Sequence, residues 1–268
     1  MSATSNIATL NFPTASPNLV TFGIKFSAGG THSTRTIMLA EIDAVLRAVP
    51  RGSAAVDYRD AIVRRNIVSK ATVSTREKTL RHLRELYALD ESTPIFGAMR
   101  KLHAADASSL PLLALLVAWS RDPLLRSTTP PVLEASEGDR VETAVLALAV
   151  QEAFPDQYSE LNRNKIARNV ASSWTQSGIL IGRTKKVRRR MTPGLAAVTM
   201  ALFLGQVAGF HGPSIFASPW CRLLDLGADR AASFGAEAHR AGLLNLRSVG
   251  DVIEVNFPLL VEFQGEPS

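Results

Sequence analysis

The feature that most constrains how this chain can fold is the apolar run 195–210, LAAVTMALFLGQVAGF, which follows closely on Arg188, Arg189 and Arg190. Basic residues ahead of an apolar segment fit the positive-inside pattern of a membrane span. The run is shorter than the roughly 20 apolar residues a span needs, and it contains Gln206 and two glycines. It therefore reads as a core helix, and no membrane partner is expected. Thr192-Pro193 supplies an N-cap followed by proline at the first helical position. With 268 residues, 46% of them hydrophobic, the chain can bury one sizeable core or two smaller ones. Its single cysteine, Cys221, excludes an internal disulfide framework and points to a reducing, cytoplasmic compartment. Residues 1–20 are rich in Ser, Thr, Asn and Pro, lack the basic start and apolar run of a signal peptide, and read as a flexible tail.

Helical periodicity organises the remainder. Met38, Ile42, Val45, Leu46 and Val49 share one face of a first helix, which Pro50-Arg51-Gly52 ends. A second helix over 56–67 and a short turn at 68–71 lead to Ser74-Thr75-Arg76-Glu77, which has the form of a capping box and opens a helix to about Ala88. This pair fits a helix-turn-helix whose second DNA-binding face would be Lys70, Arg76, Lys78 and Arg81. It fits an ordinary antiparallel helix pair equally well, and Glu77 and Glu85 partly neutralise its charge. Pro94 and Pro111 sit where core helices start. Residues 126–137, with Pro130-Pro131, read as a linker, which puts a boundary near residue 132 and divides the chain into 21–131, 132–210 and 211–268.

In the middle unit a helix over 138–154 is ended by Pro155-Asp156 and followed by a short helical piece at 157–163. The next helix, 164–176, has Ile166, Val170 and Trp174 at i, i+4, i+8 spacing, opposite Lys165, Arg168, Asn169, Ser172, Thr175 and Gln176. Gly178 stops it, and strands over 179–181 and 187–191 flank a turn at 183–186. Helices followed by such a hairpin form the order of a winged helix. The expected fold class is mainly α, a helical bundle with helix-turn-helix and winged-helix modules and short β-hairpins. The third unit repeats the outline, with a helix over 229–241 and strands near 244–246 and 252–257 around a turn at 249–251. Acidic residues outnumber basic ones there, which suits a packing or partner surface.

Within 183–190 only Thr184 and Val187 are not Lys or Arg, and the whole chain carries a net charge of +6. Such a cluster needs a counter-charge, and guanidinium forks match phosphate geometry. The expected partner is double-stranded DNA. Arg183, Lys185, Lys186, Arg188, Arg189 and Arg190 would contact the backbone, and Lys165, Arg168, Asn169, Ser172 and Gln176 the groove. A solvated charged loop, an acidic protein surface docked by an assembly protein, and RNA are the alternatives. No enzyme constellation is evident, and neither metal nor cofactor is expected. His32, His82, His103, His211 and His239 are scattered and read as surface or capping residues. Asp225 and Asp229 have no third carboxylate at a motif distance, and Gly29-Gly30-Thr31 lacks the lysine and spacing of a phosphate-binding loop, so it reads as a turn.

Three stretches carry a family likeness: Phe26-Ser27-Ala28-Gly29-Gly30, Asn66-Ile67-Val68-Ser69-Lys70 through Ser74-Thr75-Arg76, and the helix ending Gln176-Ser177-Gly178-Ile179-Leu180. Over about residues 20–190 the chain resembles the BrxA proteins of bacteriophage-exclusion (BREX) defence systems. The resemblance implies a cytoplasmic, helical protein of winged-helix character that binds double-stranded DNA without catalysis. It also implies that other defence-system proteins, among them a methyltransferase, an ATPase and a phosphatase-like component, are candidate partners. The segment after Phe210 departs from the family.

Overall fold

A computed structural model describes residues 10–249 and 252–260. The expected turn at Gly250-Asp251 and the start of the expected tail fall outside them. The described residues form thirteen α-helices and two antiparallel hairpins. In the N-terminal part these are α1 (Pro17–Phe22), α2 (Leu39–Ala48), α3 (Ala55–Arg59), α4 (Val73–Tyr87), α5 (Pro94–Ala105) and α6 (Leu110–Arg121). Next come α7 (Pro123–Ser127), α8 (Thr129–Glu134), α9 (Thr143–Ala153), α10 (Glu160–Gln176), β1 (Leu180–Ile181) and β2 (Val187–Arg188). The rest is α11 (Leu195–Val207), α12 (Pro219–Leu223), α13 (Ala228–Arg240), β3 (Asn245–Val249) and β4 (Val252–Asn256).

The apolar run becomes α11, buried without a break from Ala196 to Gly205 and packed against α5, α6, α12 and α13. A helix apolar on every face belongs inside a protein or a membrane. Among the described residues no helix is long and apolar enough to cross a membrane. Helix α6 is buried at every position except Pro111, and both helices belong to one continuous apolar cluster reaching from Leu10 to Leu260.

Several segments differ from the sequence reading. From Leu10 onward the expected tail is folded: Leu10 is buried, Phe12 packs edge-on against Trp119 at 5.1 Å beneath the Arg126 guanidinium, and Ser16 caps α1. The expected linker is helical. Its two prolines, Pro130 and Pro131, lie in the first turn of α8, where a missing N–H costs nothing, and its threonine hydroxyls satisfy buried indoles. Trp119 Nε1 donates to Thr129 Oγ1 at 2.7 Å and Trp174 Nε1 to Thr128 Oγ1 at 3.0 Å, so this segment joins α6 to α10. Finally, α4 starts two residues early: Thr72, whose hydroxyl accepts from Thr75 N, is the cap, and Glu77 pairs instead with Arg59 at 2.7 Å.

Candidate nucleic-acid interface

The hairpin expected around 183–186 is present, with Leu180 opposite Arg188 and Ile181 opposite Val187. Its outer side is also paired. Residues 138–141 are read from sequence as the start of a helix; instead Gly138 ends a turn and 139–141 run antiparallel to β2. Gly138 N donates to Arg188 O, Arg188 N to Asp139 O and Val141 N to Lys186 O, at 2.9, 2.8 and 2.9 Å. Gly138 sits at φ 91, a conformation glycine adopts without strain, and this turns the chain into the strand-like stretch before α9 begins. The unit therefore runs extended segment, α9, α10, β1, β2, with the last strand held between the other two.

Within the hairpin the cations divide by strand alternation. Arg183, Lys185, Arg189 and Arg190 are exposed, and Lys186 is half-buried with its ammonium on Gly182 O at 2.8 Å. Burial lowers the Lys186 pKa. Arg188 is different: only 1% exposed, it pairs through Nη2 with the buried carboxylate of Asp225. Asp225 also accepts from Met191 N at 3.0 Å and lies 3.4 Å from Arg190 Nη1. Arg188 is thus a core residue and leaves the expected phosphate-contacting set, because no polyanion reaches it. Asp225 was the missed residue. The signal lay in its setting, a carboxylate between Leu224 and Leu226, which is where a buried charge needs a partner.

Helix α10 is similarly divided. Its N-terminal half presents Leu161, Asn162, Lys165 and Arg168 to solvent, and Ser172 is partly exposed. Asn169 and Gln176 turn inward. Asn169 Nδ2 donates to His32 O at 2.8 Å, while Gln176 accepts from Leu39 N and donates to Thr36 Oγ1, both at 3.1 Å. Met38, at the start of α2, has no side-chain cap of its own, so Gln176 supplies one from 137 residues away. Both amides are committed to segment 32–39 and are removed from the expected groove-reading set.

The second expected face is also partly spent. Lys70 pairs with Glu41 at 2.8 Å, and Arg76 is half-buried with Nη1 on Val63 O at 2.8 Å, so neither is free for a partner. Lys78 and Arg81 remain exposed. Arg81 lines a cleft of about 360 Å³ with Lys25, Arg59, Arg84, Glu77 and Glu85.

His32, read from sequence as a surface or cap residue, is fully buried. Its Nδ1 lies 2.8 Å from Asp122 Oδ2, and its Nε2 lies 2.8 Å from Ser173 Oγ. The arrangement has the order of a nucleophilic triad but not its chemistry. Ser173 Oγ is fully buried, donates to Asn169 O at 2.9 Å and accepts from Ile37 N at 3.0 Å. Its proton is spent, and the network serves to bind α10 to the segment ahead of α2. Burial raises the Asp122 pKa, but the His32 contact and the N–H groups of Leu125 and His32 outweigh it and hold the carboxyl below its usual range. Among the described residues no group of three or more His, Cys, Asp or Glu side chains is arranged to hold a metal.

No protein-family model and no curated protein matches this sequence.

Proposed function

We propose that the chain is a non-catalytic duplex-DNA-binding protein that works through residues 138–190 as a winged-helix-like unit. The observation that carries this reading is the pairing of residues 138–141 with β2. It completes the order strand, helix, helix, hairpin, in which the second helix enters the major groove and the wing follows the adjacent backbone. The cations that are exposed suit those roles. Lys165 and Arg168 lie on the N-terminal half of α10, and Arg183, Lys185, Arg189 and Arg190 on the hairpin. On the strength of the BrxA resemblance, a phage-defence locus of the BREX type is the proposed setting, which inspection of the neighbouring genes tests.

The direct experiment is a salt titration of binding to duplex DNA, single-stranded DNA and duplex RNA. Duplex DNA is expected to bind most tightly, with a steep fall in affinity as salt rises. Unchanged duplex affinity after Lys185→Glu, Arg189→Glu and Arg190→Glu together would remove the wing from the reading.

One observation favours an assembly role as a second reading. Val145 and Leu148 on α9 and Leu161 on α10 are 46%, 53% and 76% exposed, apolar side chains of a kind that protein partners cover. Co-purification with a protein partner, together with no shift of DNA or RNA at moderate salt, would favour it.

A further inference from the structure

We infer that the loop at 27–31, together with Lys25, forms a binding site for a tetrahedral oxyanion of the phosphate class, separate from the hairpin. The site is a cavity of about 110 Å³ lined by Lys25, residues 27–31, Glu85, Arg121, Asp122 and Pro123. A water needs roughly 10–15 Å³ of such space, so the cavity holds several water-sized groups, as a four-oxygen anion requires.

Two independent features point to a ligand. Thr31 is 2% exposed and lines the cavity, yet its hydroxyl has no hydrogen-bond partner. A buried polar atom left unpaired is costly, and such atoms normally mark an absent partner. In addition, no described acceptor takes the backbone N–H groups of residues 27–31. Gly29 and Gly30 sit at φ 101 and 153, backbone conformations that glycine adopts without strain. Gly30 must be glycine, because a Cβ there would lie 2.2 Å from Asp122 Oδ1.

The charges favour an anion over a cation. Asp122 is already saturated: Oδ1 accepts from Leu124 N and Leu125 N at 3.0 and 3.2 Å, and Oδ2 takes the His32 backbone N–H and ring. Arg121 and Arg126 are both largely buried, and their guanidinium groups donate to backbone carbonyls rather than to a carboxylate: Arg121 to Gly23, Arg84 and Glu85, Arg126 to Trp119 and Lys25. Lys25 is half-buried and forms no salt bridge among the described residues; burial and the neighbouring Arg121 lower its pKa. Two cations, Lys25 and Arg121, therefore share the cavity wall with one satisfied carboxylate, Asp122, and with Glu85, which is exposed at the rim. A phosphate would take a charge-assisted bond from Lys25, a hydroxyl bond from Thr31 and backbone N–H bonds from the loop. The lysine missing from the sequence around Gly29-Gly30-Thr31 is supplied by position 25.

The test is a thermal-unfolding series of the full chain in inorganic phosphate against chloride of equal ionic strength. The melting temperature is expected to climb with the logarithm of phosphate concentration, as for any ligand of the native state. Lys25→Gln and Thr31→Val should each weaken apparent phosphate affinity roughly tenfold, the effect of losing one hydrogen bond to a charged group. A Cβ at Gly29 meets nothing within 4 Å, so Gly29→Ala disturbs only the loop conformation and provides a third variant that spares the core. No rise beyond the chloride control, or an equal rise in all three variants, overturns the site. The Lys185→Glu, Arg189→Glu, Arg190→Glu chain should keep the full phosphate response, which separates this site from the duplex interface. Competition by a 5′-phosphorylated oligonucleotide, but not by its 5′-hydroxyl counterpart, assigns the phosphate to a nucleic-acid end; competition by neither assigns it to the free ion.

Discussion

The guanidinium of Arg188 is buried against the carboxylate of Asp225, 37 positions further along the chain. One comes from the basic hairpin, the other from the loop between α12 and α13, and neither side chain is exposed by more than 3%. The middle of the most basic stretch is therefore neutralised from within. Because Asp225 also receives Met191 N, it fixes the base of the hairpin against the C-terminal part of the fold.

Removing one partner of a buried pair leaves the other charge uncompensated, which costs more than the pair itself contributes. Asp225→Ala is expected to lower the unfolding free energy by about 3–5 kcal/mol, measured by urea denaturation. A loss within the range of about 0–1 kcal/mol typical of exposed pairs would show that solvent already compensates Arg188.

The division of α10 and the hairpin into open and committed residues gives a contrast that binding can read. Substituting Gln at Lys185, Arg189 or Arg190 should each reduce the log–log salt slope of duplex binding by about 0.9, the share of one phosphate contact. Asn169→Ala and Gln176→Ala should leave that slope unchanged and instead cost about 1 kcal/mol of stability each, through lost hydrogen bonds to segment 32–39. If the two amide variants lowered the slope and the cationic ones did not, the assignment of faces would be reversed.

Cys221 is buried in α12, and burial pushes its thiol up to about 11. The thiolate is the reactive species, so the native chain should resist iodoacetamide at pH 8 and take up one equivalent only when unfolded. Labelling of the native protein at the rate of a free thiol, read by mass spectrometry, would contradict the burial.

Much of this fold was legible where a single helix or turn decides the pattern. The i, i+4, i+8 spacing of Ile166, Val170 and Trp174 gave the buried face of α10, and the length of the 195–210 run gave a core helix. What escaped were interactions across long sequence distances. Nothing near Gln176 says that it caps a helix starting at Leu39, and nothing near His32 says that Asp122 and Ser173 close around it. A basic cluster also looks uniform in sequence, whereas strand alternation buries Arg188 and exposes Arg189. The linker reading failed for a related reason: proline starts helices as readily as it ends them, and the Trp119 and Trp174 partners of Thr129 and Thr128 lie outside any local window.

The Asp122 network makes a specific statement about acid stability. Burial alone would raise this carboxyl, but the His32 contact and the backbone N–H groups reverse the sign, so its pKa in the folded state lies below the unfolded value of about 3.9. A depressed carboxyl adds stability that is present in full above the unfolded pKa and is lost as pH falls through the folded one. Asp106, depressed by the hydroxyls and N–H groups of Ser108 and Ser109, acts in the same direction. Wild-type unfolding free energy should therefore fall steeply below about pH 4, where both carboxyls begin to bind protons on unfolding. Asp122→Asn should be less stable at neutral pH, since an amide cannot replace a carboxylate that only accepts hydrogen bonds. It should also show a shallower decline in acid, with the remaining slope owed in part to Asp106. Denaturant titrations at several pH values check both effects, and an acid slope identical to wild type would show that Asp122 is not held ionised in the native state.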